Sequence, residues 1–255
     1  PEYSAKLIKD SIDKYSATYI NILDDLFTIS VERLTSIKKE LEKIGALDKI
    51  TAIDCQPRAN LINEDMCKIM KELKVTIVGF GFESGSDRIL DWLKNGSVTV
   101  EMNKRAIILC KKYGFTVYGS LMFGSPGEKI EDMKKTLDFI DFASKNGADY
   151  IWSFIATPFP NTPFWNIALE RKKVSNDMDF RLLSHHNIDN PFMLDDDVDK
   201  EEFKRVFLEG RKKLRKMKIK MVRDFLLEHP IKATSLFLKF PSYYIRKVVK
   251  QIYKH

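Results

Sequence analysis

The sequence predicts an α/β chain built as a parallel barrel or sheet, and three observations carry that prediction. Residues 75–82 read Val-Thr-Ile-Val-Gly-Phe-Gly-Phe without a charge, a composition that suits a strand covered by helices on both faces. Apolar runs of this kind alternate with amphipathic segments five times at a spacing of about 33 residues, which matches the βαβ repeat. Each run ends in a polar or glycine-rich step, and parallel α/β folds gather such steps along one edge.

Taken in order, Tyr3, Leu7, Ile8 and Ile12 give residues 1–14 a helical period. A strand follows at 19–22 and ends in Leu23-Asp24-Asp25. Residues 31–44 form an amphipathic helix between Ser30, a candidate N-cap, and Gly45, its stop. The next strand is read at 50–53, with Asp54, Gln56 and Arg58 behind it, and Asn63 can cap a helix over 64–73. After the 75–82 strand, helices are expected from Ser86 to Leu93 and over 100–113. A strand at 115–123 then runs into Gly-Ser-Pro-Gly-Glu, a helix reaches about Lys145, and a last strand at 150–156 breaks at Thr157-Pro158. Residues 174–198 show no period and read as a long loop or linker. Two helix candidates, 200–228 and 231–253, follow. The domain expectation is a core over 1–172, a linker over 173–199 and a basic helical subdomain over 200–255.

With 255 residues, 44% of them apolar, the chain can bury one large core or a core plus a small appendage. No run reaches the roughly 18 uncharged apolar residues of a membrane span, and a signal-peptide pattern is missing. The expected location is therefore the cytoplasm, with membrane association open to the tail. Charge is uneven: residues 200–255 hold 17 Lys/Arg against 5 Asp/Glu, and the rest hold 26 against 31. Cys55, Cys67 and Cys110 lack metal-ligand spacing and read as buried thiols.

The candidate site residues are the strand ends: Asp24 and Asp25; Arg58; Glu83 and Ser84; Gly124, Ser125 and Pro126; Thr157 and Pro158. In a barrel they would border one basin able to hold a polar, amine-bearing ligand. Glu83, set directly after a buried run, needs hydrogen-bond donors, from a ligand or from the helix that follows. Arg58 could clamp a carboxylate or pair with a neighbouring Asp. Glu128 could cap the helix after its turn. His185-His186 reads as loop packing or a substrate-side contact rather than a metal site, and Asp195 to Asp197 as a helix-start cluster.

Four stretches in order resemble the radical S-adenosylmethionine superfamily, in its cobalamin-binding branch of iron-sulfur oxidoreductases and methyltransferases. They are Ile22-Leu23-Asp24-Asp25-Leu26-Phe27-Thr28, Gly81-Phe82-Glu83-Ser84-Gly85-Ser86 with Lys94, residues 119–128, and Pro158-Phe159-Pro160-Asn161-Thr162-Pro163. The resemblance implies a partial parallel (β/α)6 TIM-like barrel lacking its first strand, followed by a C-terminal helical subdomain. It implies S-adenosylmethionine held against a 4Fe-4S cluster, whose electron releases a 5′-deoxyadenosyl radical for oxidoreduction or methyl transfer. Asp24 and Asp25, standing where Gly-Gly-Glu is common, would receive the methionine amine, and Glu83 with Ser84 the sugar or methionine. Gly124 to Pro126 and Thr157-Pro158 would flank the adenine.

The family's Cys-x-x-x-Cys-x-x-Cys loop has no counterpart in this sequence. The expectation is accordingly a truncated, inactive catalytic fragment, with the cluster loop and any cobalamin domain upstream on the same polypeptide. Its substrate would be a small or lipid-like molecule. From a different functional class, a cluster-free binding module whose basic tail contacts anionic lipid or RNA is the competing reading. The helical setting of the tail's aromatics favours a membrane surface over nucleic acid.

Overall fold

The computed structural model describes residues 1–24, 27–228 and 230. Helix α1 (Glu2–Tyr15) leads into β1 (Tyr19–Asn21), α2 (Val31–Lys43), β2 (Ala52–Cys55), α3 (Glu64–Glu72) and β3 (Val75–Glu83). Then come α4 (Asp87–Lys94), α5 (Val100–Lys112), β4 (Thr116–Phe123), α6 (Ile130–Lys145), β5 (Tyr150–Ile155), α7 (Pro163–Glu170) and α8 (Lys200–Glu228). Side-chain capping starts four of these eight helices: Ser30, Asn63, Thr99 and Thr162 each accept a backbone N–H of the first turn. The helix expected over 231–253 lies outside the described residues, as does Asp25.

The five strands form one sheet in the order β1-β2-β3-β4-β5, and every neighbouring pair is parallel. This is the sheet of a partial α/β barrel, and its carboxyl ends share one edge. Asn21 stands opposite Asp54, Cys55 opposite Val78, Glu83 opposite Leu121, and Phe123 opposite Ile155. The register slips between Gly81 and Glu83, a bulge that re-aims the residues at the strand end.

Alternate side chains of the sheet face the helices. Val78, Phe80, Phe82, Val117, Leu121 and Phe123 are buried there, with Phe82 edge-on to Phe139 of α6 at 5.2 Å and Phe123 edge-on to Phe207 of α8 at 5.5 Å. Such pairs add specific geometry to the burial that holds the layers together. The reading of residues 75–82 as covered on both faces is corrected. On the inner face Ile77 and Glu83 are half-buried and Gly81 is exposed. The run looks uninterrupted because Gly79 and Gly81 occupy inner positions that would otherwise show polar alternation.

Two further differences have local causes. Strand β2 starts two residues later than expected, because a 3-10 turn at Leu47–Lys49 spends the backbone of Ile50 closing it. Residues 174–198 form no helix or strand beyond the 3-10 turn Phe180–Leu182, yet Val174, Leu183, Phe192 and Met193 bury themselves with Trp165 and Ala168 of α7 in a small core. Packing divides the chain into two compact units, Pro1–Leu214 and Arg215–His255. Within the second, the described residues are Arg215 to Glu228, the end of α8, and Pro230.

Candidate functional site

The strand-end edge is most elaborate after β3. Glu83 adopts a left-handed backbone, φ 57°, a conformation that costs a non-glycine residue energy and clusters at functional sites. Its Oε1 accepts from Lys94 Nζ at 3.0 Å. A side chain at Gly81 would overlap that oxygen, so the glycine makes room for the pair. Ser97 Oγ donates to the Lys94 carbonyl at 2.6 Å and accepts from Arg58 Nη2 at 2.7 Å. Arg58 therefore joins Glu83 in one polar chain that runs from the end of β2 to the end of β3.

Ser84 turns the other way. Fully buried, it lies 3.3 Å from Thr136 Oγ1 of α6 and accepts from the Ser86 N–H at 3.1 Å. Gly85 N donates to Thr136 Oγ1 at 2.9 Å, and any side chain there would overlap the α6 backbone at Lys135. Ser86 Oγ donates to Asp132 Oδ1 at 2.6 Å, while Arg88 pairs with Asp132 and donates to the Gly127 carbonyl at 2.7 Å. Burial pushes the Asp132 carboxyl up, but the bonds from Arg88 and Ser86 outweigh it and hold Asp132 below the usual carboxylate range. Helix α6 thus ties the loop after β3 to the turn after β4.

In that turn, Glu128 Oε2 accepts from the N–H of Gly124 at 2.6 Å and of Ser125 at 3.0 Å. Burial pushes the Glu128 carboxyl up to about 8 despite those two bonds. Burial thus favours the neutral form of this carboxyl. Its Oε1 and the buried Ser125 Oγ have no hydrogen-bond partner among the described residues, and Pro126 is buried beside them. Asp195 accepts from Gly127 N at 3.3 Å and from Arg171 at 2.7 Å, and Asp197 pairs with Lys129 at 2.7 Å. The helix-start reading of Asp195 to Asp197 is corrected accordingly: Asp199 caps α8, accepting from Glu202 N at 2.7 Å, while Asp195 and Asp197 clamp the turn and Asp196 pairs with Lys173.

The remaining strand ends are simpler. The Asp24 carbonyl accepts from Phe27 N at 3.4 Å. Thr157 Oγ1 donates to the Ile155 carbonyl at 2.9 Å, and Pro158 is buried. His185 and His186 lie ring against ring, 4.3 Å apart, with Phe154 of β5 against both. Burial, then the neighbouring His185 and Arg211, lower the pKa of His186. One constellation escaped the sequence reading. Asp54, 8% exposed, accepts from Tyr19 and Tyr118 hydroxyls at 3.1 Å each, and Trp152 stands edge-on to Tyr118. Its only signal was a carboxylate directly after the strand expected at 50–53.

Whether these residues suit a cluster is decided by the thiols. Cys55, Cys67 and Cys110 are wholly buried, and burial pushes Cys55 up to about 12. No group of three His, Cys, Asp or Glu among the described residues is placed to hold a metal ion. The described residues do not fit an iron-sulfur cluster. Among them, too, no helix is long and apolar enough to cross a membrane.

Residues 1–140 match the family model of the Radical SAM superfamily. An uncharacterized methyltransferase from Pyrococcus horikoshii is 36% identical over 156 residues, which cover 61% of this chain and 32% of that protein. A putative methylthiotransferase from Methanocaldococcus jannaschii is 34% identical over 119 residues, 47% of this chain and 26% of the other. The chain thus spans about a third or less of the length of these curated relatives. Among solved structures, the radical S-adenosylmethionine methyltransferase TsrM from Kitasatospora setae, with tryptophan substrate and a SAM analog bound, superposes with a TM-score of 0.58. The superposition has 18% identity and covers 70% of this chain and 36% of that one. The cobalamin-dependent S-adenosylmethionine radical enzyme OxsB gives 0.58 at 18% identity, covering 80% of this chain and 36% of that one. At such identities the likeness is one of fold.

Proposed function

This chain belongs to the Radical SAM superfamily, and from that premise we propose that its strand-end edge seats S-adenosylmethionine for methyl transfer or a related radical reaction. The observation that carries the reading is the tie between the segment that follows Glu83, through Ser86 and Arg88, and the 124–128 turn. Two loops 40 residues apart in sequence are held at one edge of a parallel sheet by α6. Glu83, already polarised by Lys94, is the acceptor for a ribose hydroxyl or the methionine moiety, and Asp24 with Asp25 receives the amine. The turn at Gly124, Ser125 and Pro126, with Thr157 and Pro158, offers an uncharged, apolar border to a purine. The unpartnered Ser125 Oγ is a polar group left for it. Ser84 acts by fixing the loop on α6 and not by touching the ligand.

When bound, S-adenosylmethionine supplies the reacting carbon, either its methyl group or its adenosyl carbon. The three cysteines of this chain do not offer a cluster site, so no step through a cluster is assigned to it. On its own the chain is expected to release no 5′-deoxyadenosine. Binding is the direct test: equilibrium dialysis of the chain against S-adenosylhomocysteine should show saturable uptake, weakened about tenfold in Glu83→Ala, since an acceptor of a charge-assisted hydrogen bond is worth roughly 1.5–3 kcal/mol. Uptake that never saturates, or that Glu83→Ala leaves unchanged, overturns the proposal.

A further inference from the structure

The inner face of the sheet carries a second constellation, set back from the strand-end edge. Tyr118 stands five residues before Phe123, the end of β4, which is roughly 16 Å back at about 3.3 Å per residue. Its ring rests on β3: a side chain at Gly79 would overlap its Cε2, Cζ and hydroxyl. Glycine at that position lets the phenol reach across β3 to Asp54 of β2. Trp152 meets Tyr118 at 89° with ring centroids 5.4 Å apart, and Tyr150 meets Trp152 at 87° and 4.4 Å. Three rings set at right angles thus make a corner beside one carboxylate.

Asp54 is 8% exposed, and each of its oxygens accepts one phenol, Oδ2 from Tyr19 and Oδ1 from Tyr118. Burial, and then the adjoining Asp54, push both phenols above their ordinary value, so both hydroxyls stay donors at neutral pH. An ionised carboxylate has about four acceptor positions, and two neutral donors leave its charge in place. Among the described residues no Lys or Arg pairs with it. A carboxylate taken out of water is ordinarily matched by a cation. The rings around this one are open to solvent, Trp152 41% exposed and Tyr19 48%.

We propose that this corner binds a small organic cation, an alkylammonium whose charge faces Asp54 and whose carbon-bound hydrogens lie against the rings of Tyr118 and Trp152. Aromatic faces attract cations through the ring quadrupole, more strongly where water is displaced. A divalent metal ion would ask for several oxygen ligands, and here one carboxylate stands among phenols that are already donating to it. A neutral aromatic ligand would cover the rings and leave the carboxylate without a counter-charge. The inference is independent of what the strand-end edge binds.

Isothermal titration calorimetry of the full chain tests it, with choline as the probe and 3,3-dimethyl-1-butanol as its uncharged isostere. Choline should bind saturably at millimolar concentration, and the isostere should bind at least about tenfold more weakly. Asp54→Asn removes the charge at constant shape and should weaken choline about tenfold. Trp152→Leu should weaken it by a similar factor. Trp152 is exposed, so Trp152→Leu decides the matter even if Asp54→Asn does not fold, and an unchanged circular-dichroism melt verifies each variant. Saturating S-adenosylhomocysteine should leave choline binding in place. No saturable choline binding overturns the proposal, as does equal binding of the isostere or binding that Trp152→Leu leaves intact. Displacement of choline by S-adenosylhomocysteine would assign the corner to the strand-end ligand and overturn it as well.

Discussion

After β3 and β4, buried side chains of α6 fix the chain: Thr136 holds Gly85, and Asp132 holds Ser86, Arg88 and the Lys129 N–H. After β2, by contrast, Arg58 reaches over exposed surface to Ser97. The strands differ in the same way, nine and eight residues for β3 and β4 against three and four for β1 and β2. A buried polar network is costly unless each member is satisfied, and once satisfied it rigidifies its loops. An exposed guanidinium bonded to a hydroxyl contributes little and holds nothing in place. One half of the edge is accordingly pre-set by the fold, whereas in the other Arg58 is held only by an exposed hydroxyl.

The largest expected effect falls on the pre-set half. Asp132→Ala strips Ser86 Oγ, Arg88 and the Lys129 N–H of a buried acceptor and should cost about 2–4 kcal/mol in urea unfolding. A loss under about 1 kcal/mol would show that α6 does not organise the two loops, and the contrast between the halves would go with it.

The second effect depends on pH. The Glu128 carboxyl is raised to about 8 in the folded chain from an ordinary value near 4.5. Its contribution to stability is thus fully present below pH 4.5 and is lost as pH rises toward 8, by up to about 1.4 kcal/mol per pH unit. Glu128→Gln should flatten this fall in a series of thermal or urea melts between pH 5 and 8. Asp132, held low, works oppositely: its contribution is present above the ordinary carboxylate range and is lost on acidification. The two windows do not overlap. A variant with the parent's slope between pH 5 and 8 would show that Glu128 is not the group that titrates.

The smallest effect belongs to the exposed half. Arg58→Ala should change unfolding free energy by less than about 0.5 kcal/mol, within the range of surface substitutions. If it destabilises the chain as Asp132→Ala does, the β2 end is as built-in as the β4 end.

Much of the fold was legible because it rests on short-range patterns. Ser30 and Asn63 sit just before apolar-periodic runs, and each caps the helix it announces. The family could be read from the ordered stretches around Glu83 and Gly124, since a strand end is marked by the abrupt change in side-chain type where burial stops. The roles of individual residues were less accessible. Ser84 and Glu83 are neighbours, and only the bulge at Gly81 decides that one serves α6 and the other faces the inner hollow.

What this sequence determined by itself was the periodicity, the caps and the polar ends of five strands, because these follow from neighbours within a few residues along the chain. What only the tertiary structure decided was the pairing of Asp132 with Arg88, of Asp195 with Gly127, and of Asp54 with two tyrosines. Their partners lie tens of residues away. A buried carboxylate takes whatever donor the packing of distant elements brings within reach, and no local pattern encodes that choice.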